Sequence, residues 1–236
     1  MPSSETPAAT VDPGSRPETI GVFRALLLDM DGTLVNSDAV VERVWRSWAV
    51  GHGLDPDEAL KVVHGRQGYA TMAVLLPDRP MEQNHAENRQ LLAQETADLD
   101  GVVPIAGAPA FMEAIAALPH ALVTSANAAL ATARMNAAGL RIPDTRITAE
   151  CVGASKPDPE GFRKGAAELG FAPADCVVLE DSEAGIAAAR AAGMRVLGIG
   201  PRAAAFAPDA HAPDLTGVDV RADATGALAF APVRQG

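Results

Sequence analysis

Aromatic side chains make up only 4% of this 236-residue sequence, and its cysteines are just two, Cys151 and Cys176. With so few rings, aliphatic residues and alanine must fill the core. Two thiols make no disulfide framework, and a chain of this size needs none, so both are read as reduced. They lack zinc-ligand spacing as well. Basic clusters are also missing, and the formal net charge is −11. Such a surface lacks the cations that nucleic-acid backbones and anionic membranes demand, so neither is expected as a partner. Any site for a phosphorylated ligand must then be local. No stretch approaches the roughly 20 apolar residues of a membrane span. The segment Met1–Glu18 has neither a basic start nor an apolar run, unlike a secretory signal. Its Pro, Ser, Thr and Ala content reads as a disordered tail, and a cytoplasmic location is the expectation.

The balance that remains, 48% apolar and 21% charged, is that of a globular chain able to bury a core. Four short apolar runs, Phe23–Leu28, Ala121–Thr124, Cys176–Leu179 and Val196–Ile199, lack polar alternation. That pattern predicts strands covered on both faces. Ala-rich stretches between the later runs stop at glycines: Asn127–Ala138 at Gly139, Pro159–Leu169 at Gly170, and Glu183–Ala192 at Gly193. Glycine just past a helix end is the usual left-handed stop. Strands alternating with such helices predict an α/β fold with a Rossmann-like parallel sheet. The stretch from Ser37 to about Asp100 differs, being charged, helix-favouring and free of strand-like runs. Trp45, Trp48, Ala49 and His52 recur there at helical spacing, as do Leu91, Leu92 and Glu95. This predicts a small α-helical insert after the first strand with a small core of its own. The expected division is a tail over 1–18, a catalytic core over 19–37 and 101–236, and a helical cap over 38–100.

In an open α/β sheet, ligands bind beyond the carboxyl ends of the strands. The first apolar run is followed by Asp29-Met30-Asp31-Gly32-Thr33-Leu34. Two carboxylates so close cost free energy unless a cation sits between them or one holds a proton. Taken alone, this pattern suits a turn or a calcium loop equally well. The second run leads into Thr124, Ser125 and Ala126, where a hydroxyl and adjacent backbone N–H groups can hold phosphoryl oxygens. Lys156-Pro157-Asp158-Pro159 precedes the next helix, and Glu180-Asp181-Ser182 follows the third run. Acidic residues opening a helix are favourable in themselves. In sequence, the strand ends present an acid pair, a hydroxyl, a lysine and a second acid pair. Together they supply a nucleophile, a phosphate grip, a cation and a cradle for a hard divalent ion.

These four segments resemble the signature motifs of the haloacid dehalogenase superfamily, over nearly all of the chain after residue 20. The first motif matches in full at Asp29-Met30-Asp31-Gly32-Thr33, and Val178 to Ile186 (VLEDSEAGI) is nearly as specific. The resemblance implies that Asp29 attacks phosphorus to form an aspartyl-phosphate, while Asp31 protonates the leaving alcohol and then activates water. It implies Mg²⁺ held by Asp29, the Asp31 backbone carbonyl and Asp181, with Glu180 as a ligand or beside the ligands. Ser125 or Thr124 would bind phosphoryl oxygens next to Ala126, and Lys156 would neutralise charge on Asp29 and the phosphoryl group. Dehalogenases of the superfamily lack an aspartate at the position of Asp31, which disfavours halide displacement.

The insert lies between the first and second motifs, whereas the gap from Ser125 to Lys156 is read as one helix with its connections. The resemblance therefore implies a small helical cap and substrates of modest size. The nearest likeness is to sugar and polyol phosphatases, carried by Val41 to Trp45 (VERVW), His52-Gly53-Leu54 and His64-Gly65-Arg66. His64, Gly65 and Arg66 are the expected substrate-facing residues of the cap. β-Phosphoglucomutases carry a histidine where Val41 stands here, which favours hydrolysis over a mutase. Phosphoglycolate phosphatase is a further alternative, and a phospho-ligand binding module the non-enzymatic one. A small phosphorylated metabolite is the expected partner and a monomer the expected state. His85, His120 and His211 fit no pattern.

Overall fold

The structure is a computed structural model that describes residues 20–231. The tail expected over residues 1–18 lies outside them. In chain order the elements begin with strands β1 (Ala25–Leu28) and β2 (Val35–Asn36) and helices α1 (Asp38–Gly51), α2 (Pro56–Leu60), α3 (Gly68–Leu75) and α4 (Met81–Ala97). β3 (Val103–Pro104), α5 (Ala108–Ala114), β4 (His120–Val123), α6 (Ala128–Ala137), β5 (Thr145–Ile147) and α7 (Glu160–Leu169) follow. The chain continues through β6 (Cys176–Glu180), α8 (Glu183–Ala191), β7 (Arg195–Ile199), α9 (Gly200–Ala203), β8 (Ala210–Ala212), β9 (Asp219–Ala222) and β10 (Leu228–Ala231).

Six strands form one sheet in the order β5-β4-β1-β6-β7-β8, and every pairing in it is parallel. This is the expected Rossmann-like core. β1 sits between β4 and β6, where the chain's crossovers switch direction, and that is where ligand crevices open in such sheets. Its four residues are fully buried because they alternate between two apolar layers. Leu26 and Leu28 join one layer, Ala25 and Leu27 the other. The helices begin where short polar side chains can cap them: Asn127 accepts from Leu130 N–H, and Ser182 accepts from Gly185 N–H.

Two expectations change. The gap between Ser125 and Lys156 holds β5 as well as α6. A three-residue strand with exposed Arg146 at its centre carries too little apolar signal to read from sequence. Residues 38–97 are all helices and turns, as predicted, but they do not enclose a separate core. Val40, Trp45, Met72 and Leu91 belong to the same buried cluster as Leu26, Leu28 and Leu122 of the sheet. The reason is contact between α4 and α6, which carries the apolar layer of the sheet into the insert. Among the described residues, no helix is long and apolar enough to cross a membrane.

Candidate active site

Asp29 stands at the carboxyl end of β1 and is 5% exposed. Its backbone N–H donates to Leu179 O at 3.0 Å, which fixes it against β6. The chain then turns sharply, with Met30 O accepting from the N–H groups of Thr33, Leu34 and Val35. Gly32 makes the turn at φ +84°, and a Cβ there would overlap the Asp181 carboxylate. Glycine is thus required twice, by the left-handed backbone and by the approach of β6 to β1.

Lys156 reaches this point from the loop after β5. Its Nζ donates to Asp29 Oδ1 at 2.6 Å, to Glu180 Oε1 at 2.9 Å and to Val123 O at 3.2 Å. Glu180 is fully buried, and its second oxygen accepts from the N–H and hydroxyl of Ser182. Asp181 points beside it and pairs with Arg202 at 2.5 Å, and Arg202 also holds Asp38. Asp31 accepts from the Ser37 hydroxyl at 2.7 Å and pairs with Arg134 at 2.9 Å. Arg134 is buried in α6 and also pairs with Glu95 of α4 at 2.9 Å.

Burial dominates the electrostatics. It raises the Asp29 carboxyl to about 8, with Lys156 opposing and Glu180 adding to the rise. Burial, with Glu180 and Asp29 as neighbours, holds Asp181 well above the usual carboxylate range, although Arg202 opposes it. For Lys156, burial acts downward, but Asp29 and Glu180 outweigh it and the ammonium stays charged. The pocket therefore still lacks positive charge after Lys156 and Arg202 are counted. Asp29, Glu180 and Asp181 each place one oxygen within 4.8 Å of the others. An all-oxygen donor set with excess negative charge fits a hard divalent cation. The Asp31 carboxylate is outside that group, tied instead to Ser37 and Arg134.

Thr124 and Ser125 line the same cleft as Asp29 and Asp31. Thr124 Oγ1 accepts from Ala126 N–H, whereas the Ser125 hydroxyl donates to Gly65 O at 2.9 Å. The Gln67 N–H donates to Ser155 Oγ at 2.7 Å. Two hydrogen bonds thus close residues 65–67 of the insert onto the sheet's loops. His64 and Arg66 line the cleft, whose cavity volume is about 80 Å³. His64 Nδ1 lies 4.0 Å from Asp38, and Arg66 donates to Val62 O at 3.3 Å. Burial, with Arg202 adding, lowers His64 from 6.5 to about 4. Between those values the unfolded chain binds a proton that the folded chain refuses, so stability is lost as pH falls from 6.5 toward 4. His64→Asn is expected to flatten that part of a urea-unfolding pH profile. An unchanged profile would contradict the buried, neutral imidazole.

The structure brings Asp29, Lys156, Glu180 and Asp181 together, and adds Ser37, Asn88, Glu95, Arg134 and Arg202, which the sequence did not single out for the site, as lining or linking residues. Arg134 left a signal: helical phasing puts it on the inward face with Leu130 and Ala131. Arg202 left none, since its Asp38 partner is 164 residues away.

The fold is α/β, and its buried acidic pocket lies at the carboxyl ends of the strands. Residues 23–193 match the haloacid dehalogenase-like hydrolase family. Hexitol phosphatase A of Escherichia coli (strain K12) is 38% identical over 178 residues, covering 75% of this chain and 82% of that one. Glycerol-1-phosphate phosphohydrolase 2 of Saccharomyces cerevisiae is 30% identical over 187 residues, covering 74% of each. Among solved structures, a β-phosphoglucomutase from Clostridium difficile aligns with a TM-score of 0.71 at 18% identity, over 82% of this chain and 92% of that one. The last likeness concerns fold alone. The chain belongs to the haloacid dehalogenase-like hydrolase family, as an enzyme of the phosphatase type.

Proposed function

We propose that this protein is a Mg²⁺-dependent phosphatase of small sugar or polyol phosphates that works through an aspartyl-phosphate on Asp29. The observation that carries the reading is the buried Asp29–Lys156 pair at 2.6 Å, whose Asp29 lines a cleft walled by both the sheet's loops and the helical insert. In this reading the Asp29 carboxylate attacks phosphorus, and the P–O bond to the leaving alcohol breaks. Asp31 donates the proton to that alcohol, then takes one from the water that attacks phosphorus and frees Asp29. Ser37 and Arg134 keep the Asp31 carboxyl in place through both steps. Thr124 is the better phosphate grip, because Ser125 spends its hydroxyl proton on Gly65 while the Thr124 oxygen only accepts. The Ser125 backbone N–H adds to that grip, whereas those of Thr124 and Ala126 donate to Ile147 O and Thr124 Oγ1. Lys156 neutralises charge as it builds.

Asp29, Asp181 and the Asp31 backbone carbonyl would hold the Mg²⁺, with Glu180 anchored beside them. When bound, the ion supplies charge neutralisation between the nucleophile and the phosphoryl oxygens. We read residues 38–100 as a cap over the sheet's core, which excludes water and limits substrate size. Val41 lines the cleft where the related mutases carry histidine, so hydrolysis is favoured over transfer within a sugar. The named relatives' polyol phosphate substrates support that class here. The test is phosphate release from a panel of hexitol, hexose, glycerol and two-carbon phosphates. Polyol or sugar phosphates are expected to be preferred, with EDTA stopping release and added Mg²⁺ restoring it. Turnover that persists in EDTA, or a preference for two-carbon acids, would count against the reading.

A further inference from the structure

Helix α4 turns a polar face inward. Its buried residues are Asn84, Asn88, Leu91 and Glu95, the spacing of one helical stripe. Such a stripe is ordinarily apolar, because a buried amide or carboxylate costs free energy unless it is hydrogen-bonded. Glu95 meets that need through Arg134, which reaches on to Asp31. Asn88 is 9% exposed and lines the cleft, and no hydrogen bond among the described residues engages its carboxamide. Gly68 lies so close to this amide that a Cβ there would overlap Asn88 Oδ1. The amide is therefore buried in the wall of the cleft with its hydrogen-bonding groups unspent.

The chemistry of this wall identifies what it can bind. An alcohol hydroxyl both donates and accepts; a carboxylate accepts, a guanidinium donates, and a carboxamide does both. An acidic leaving group would face Glu95 and Asp31 across a buried surface, which disfavours it. Asn88 and Glu95 are seven residues apart, about 10 Å along the helix. A short alcohol whose oxygen meets Asp31 stays beside Glu95 and Arg134, whereas a longer chain extends to Asn88.

We propose that Asn88, Glu95 and Arg134 form the subsite that reads the hydroxyls of the leaving alcohol, with Asn88 selecting for chains long enough to reach it. The inference rests on the phosphatase reading and names residues that the sequence did not single out for it. The test compares kcat/KM for sorbitol 6-phosphate and glycerol 1-phosphate, with Mg²⁺, in the wild type and in Asn88→Leu. Asn88→Ser carries the same test if the leucine variant fails to fold. Loss of a buried hydrogen bond should lower the six-carbon to three-carbon ratio by about tenfold, through a higher KM. A ratio unmoved in a folded variant overturns the subsite alone. A wild type that hydrolyses an aryl phosphate but neither polyol phosphate overturns the substrate class and the subsite with it.

Discussion

Replacing Asp29 with asparagine is expected to lower phosphate release by roughly four orders of magnitude or more, the scale at which a covalent nucleophile is lost. The amide has nearly the same shape but cannot attack phosphorus. Folding should survive, since Lys156 keeps Glu180 at 2.9 Å and the backbone bond from Asp29 N–H to Leu179 is untouched. In metal-free protein the variant should even melt at a higher temperature. Burial holds the Asp29 carboxyl up at about 8, so folding presses it toward its neutral form, which an amide already is. Steady-state kinetics beside a melting curve checks both halves. A folded variant with substantial activity would remove Asp29 from the chemistry, and a lower melting temperature without metal would mean that its charge helps the fold.

The second large effect belongs to Lys156→Met. Lys156 Nζ lies 4.8 Å from the centre of the Phe162 ring, and methionine is long enough to fill most of the lysine's volume. What it cannot do is face Asp29 and Glu180, which are both buried. Removing one partner of a buried ionic cluster costs about 3–5 kcal/mol, because the remaining charges stay out of water. Activity should fall as well, since the pocket loses the cation beside its nucleophile. The cause can be separated from simple misfolding. Adding Asp29→Asn to Lys156→Met should restore part of the lost urea midpoint, a coupling of about 0.5–3 kcal/mol. Strict additivity of the two changes would mean that the pair is not the source of the loss.

Much of this arrangement was legible in the sequence, and the parts that were not share physical causes. β1, β4, β6 and β7 showed themselves because strands buried on both faces must be continuously apolar. β5 and β8 did not: each has three residues with an exposed polar centre, Arg146 and His211 respectively, as suits the two edges of a sheet. Asp29, Glu180 and Asp181 were legible because they stand at the ends of β1 and β6, where strand ends converge, and Lys156 because Lys156-Pro157-Asp158-Pro159 opens the next helix. Asn88, Glu95 and Arg134 come from helices instead. Their meeting depends on how α4 settles against α6, which no local pattern encodes. The small core expected inside the insert proved continuous with the sheet's own layer for the same reason.

That continuity bears on function. A helical segment that shares its apolar layer with the sheet and ties residues 65–67 to Ser125 and Ser155 can line the nucleophile's cleft with Asn88 and Glu95 without a separate folding unit. Substrate choice would then sit in the insert, and bond-breaking in the strand ends.

The central claim is that phosphorus is transferred to Asp29 before it reaches water. Acid-quenched mixtures of enzyme, Mg²⁺ and a polyol phosphate, taken during turnover and digested, test it by mass spectrometry of the peptide containing Asp29. We expect that peptide to carry one phosphoryl group at Asp29, with the adduct absent when EDTA is present or Asp29 is asparagine. Continued phosphate release with Asp29 never modified, and with the asparagine variant still active, would contradict the account.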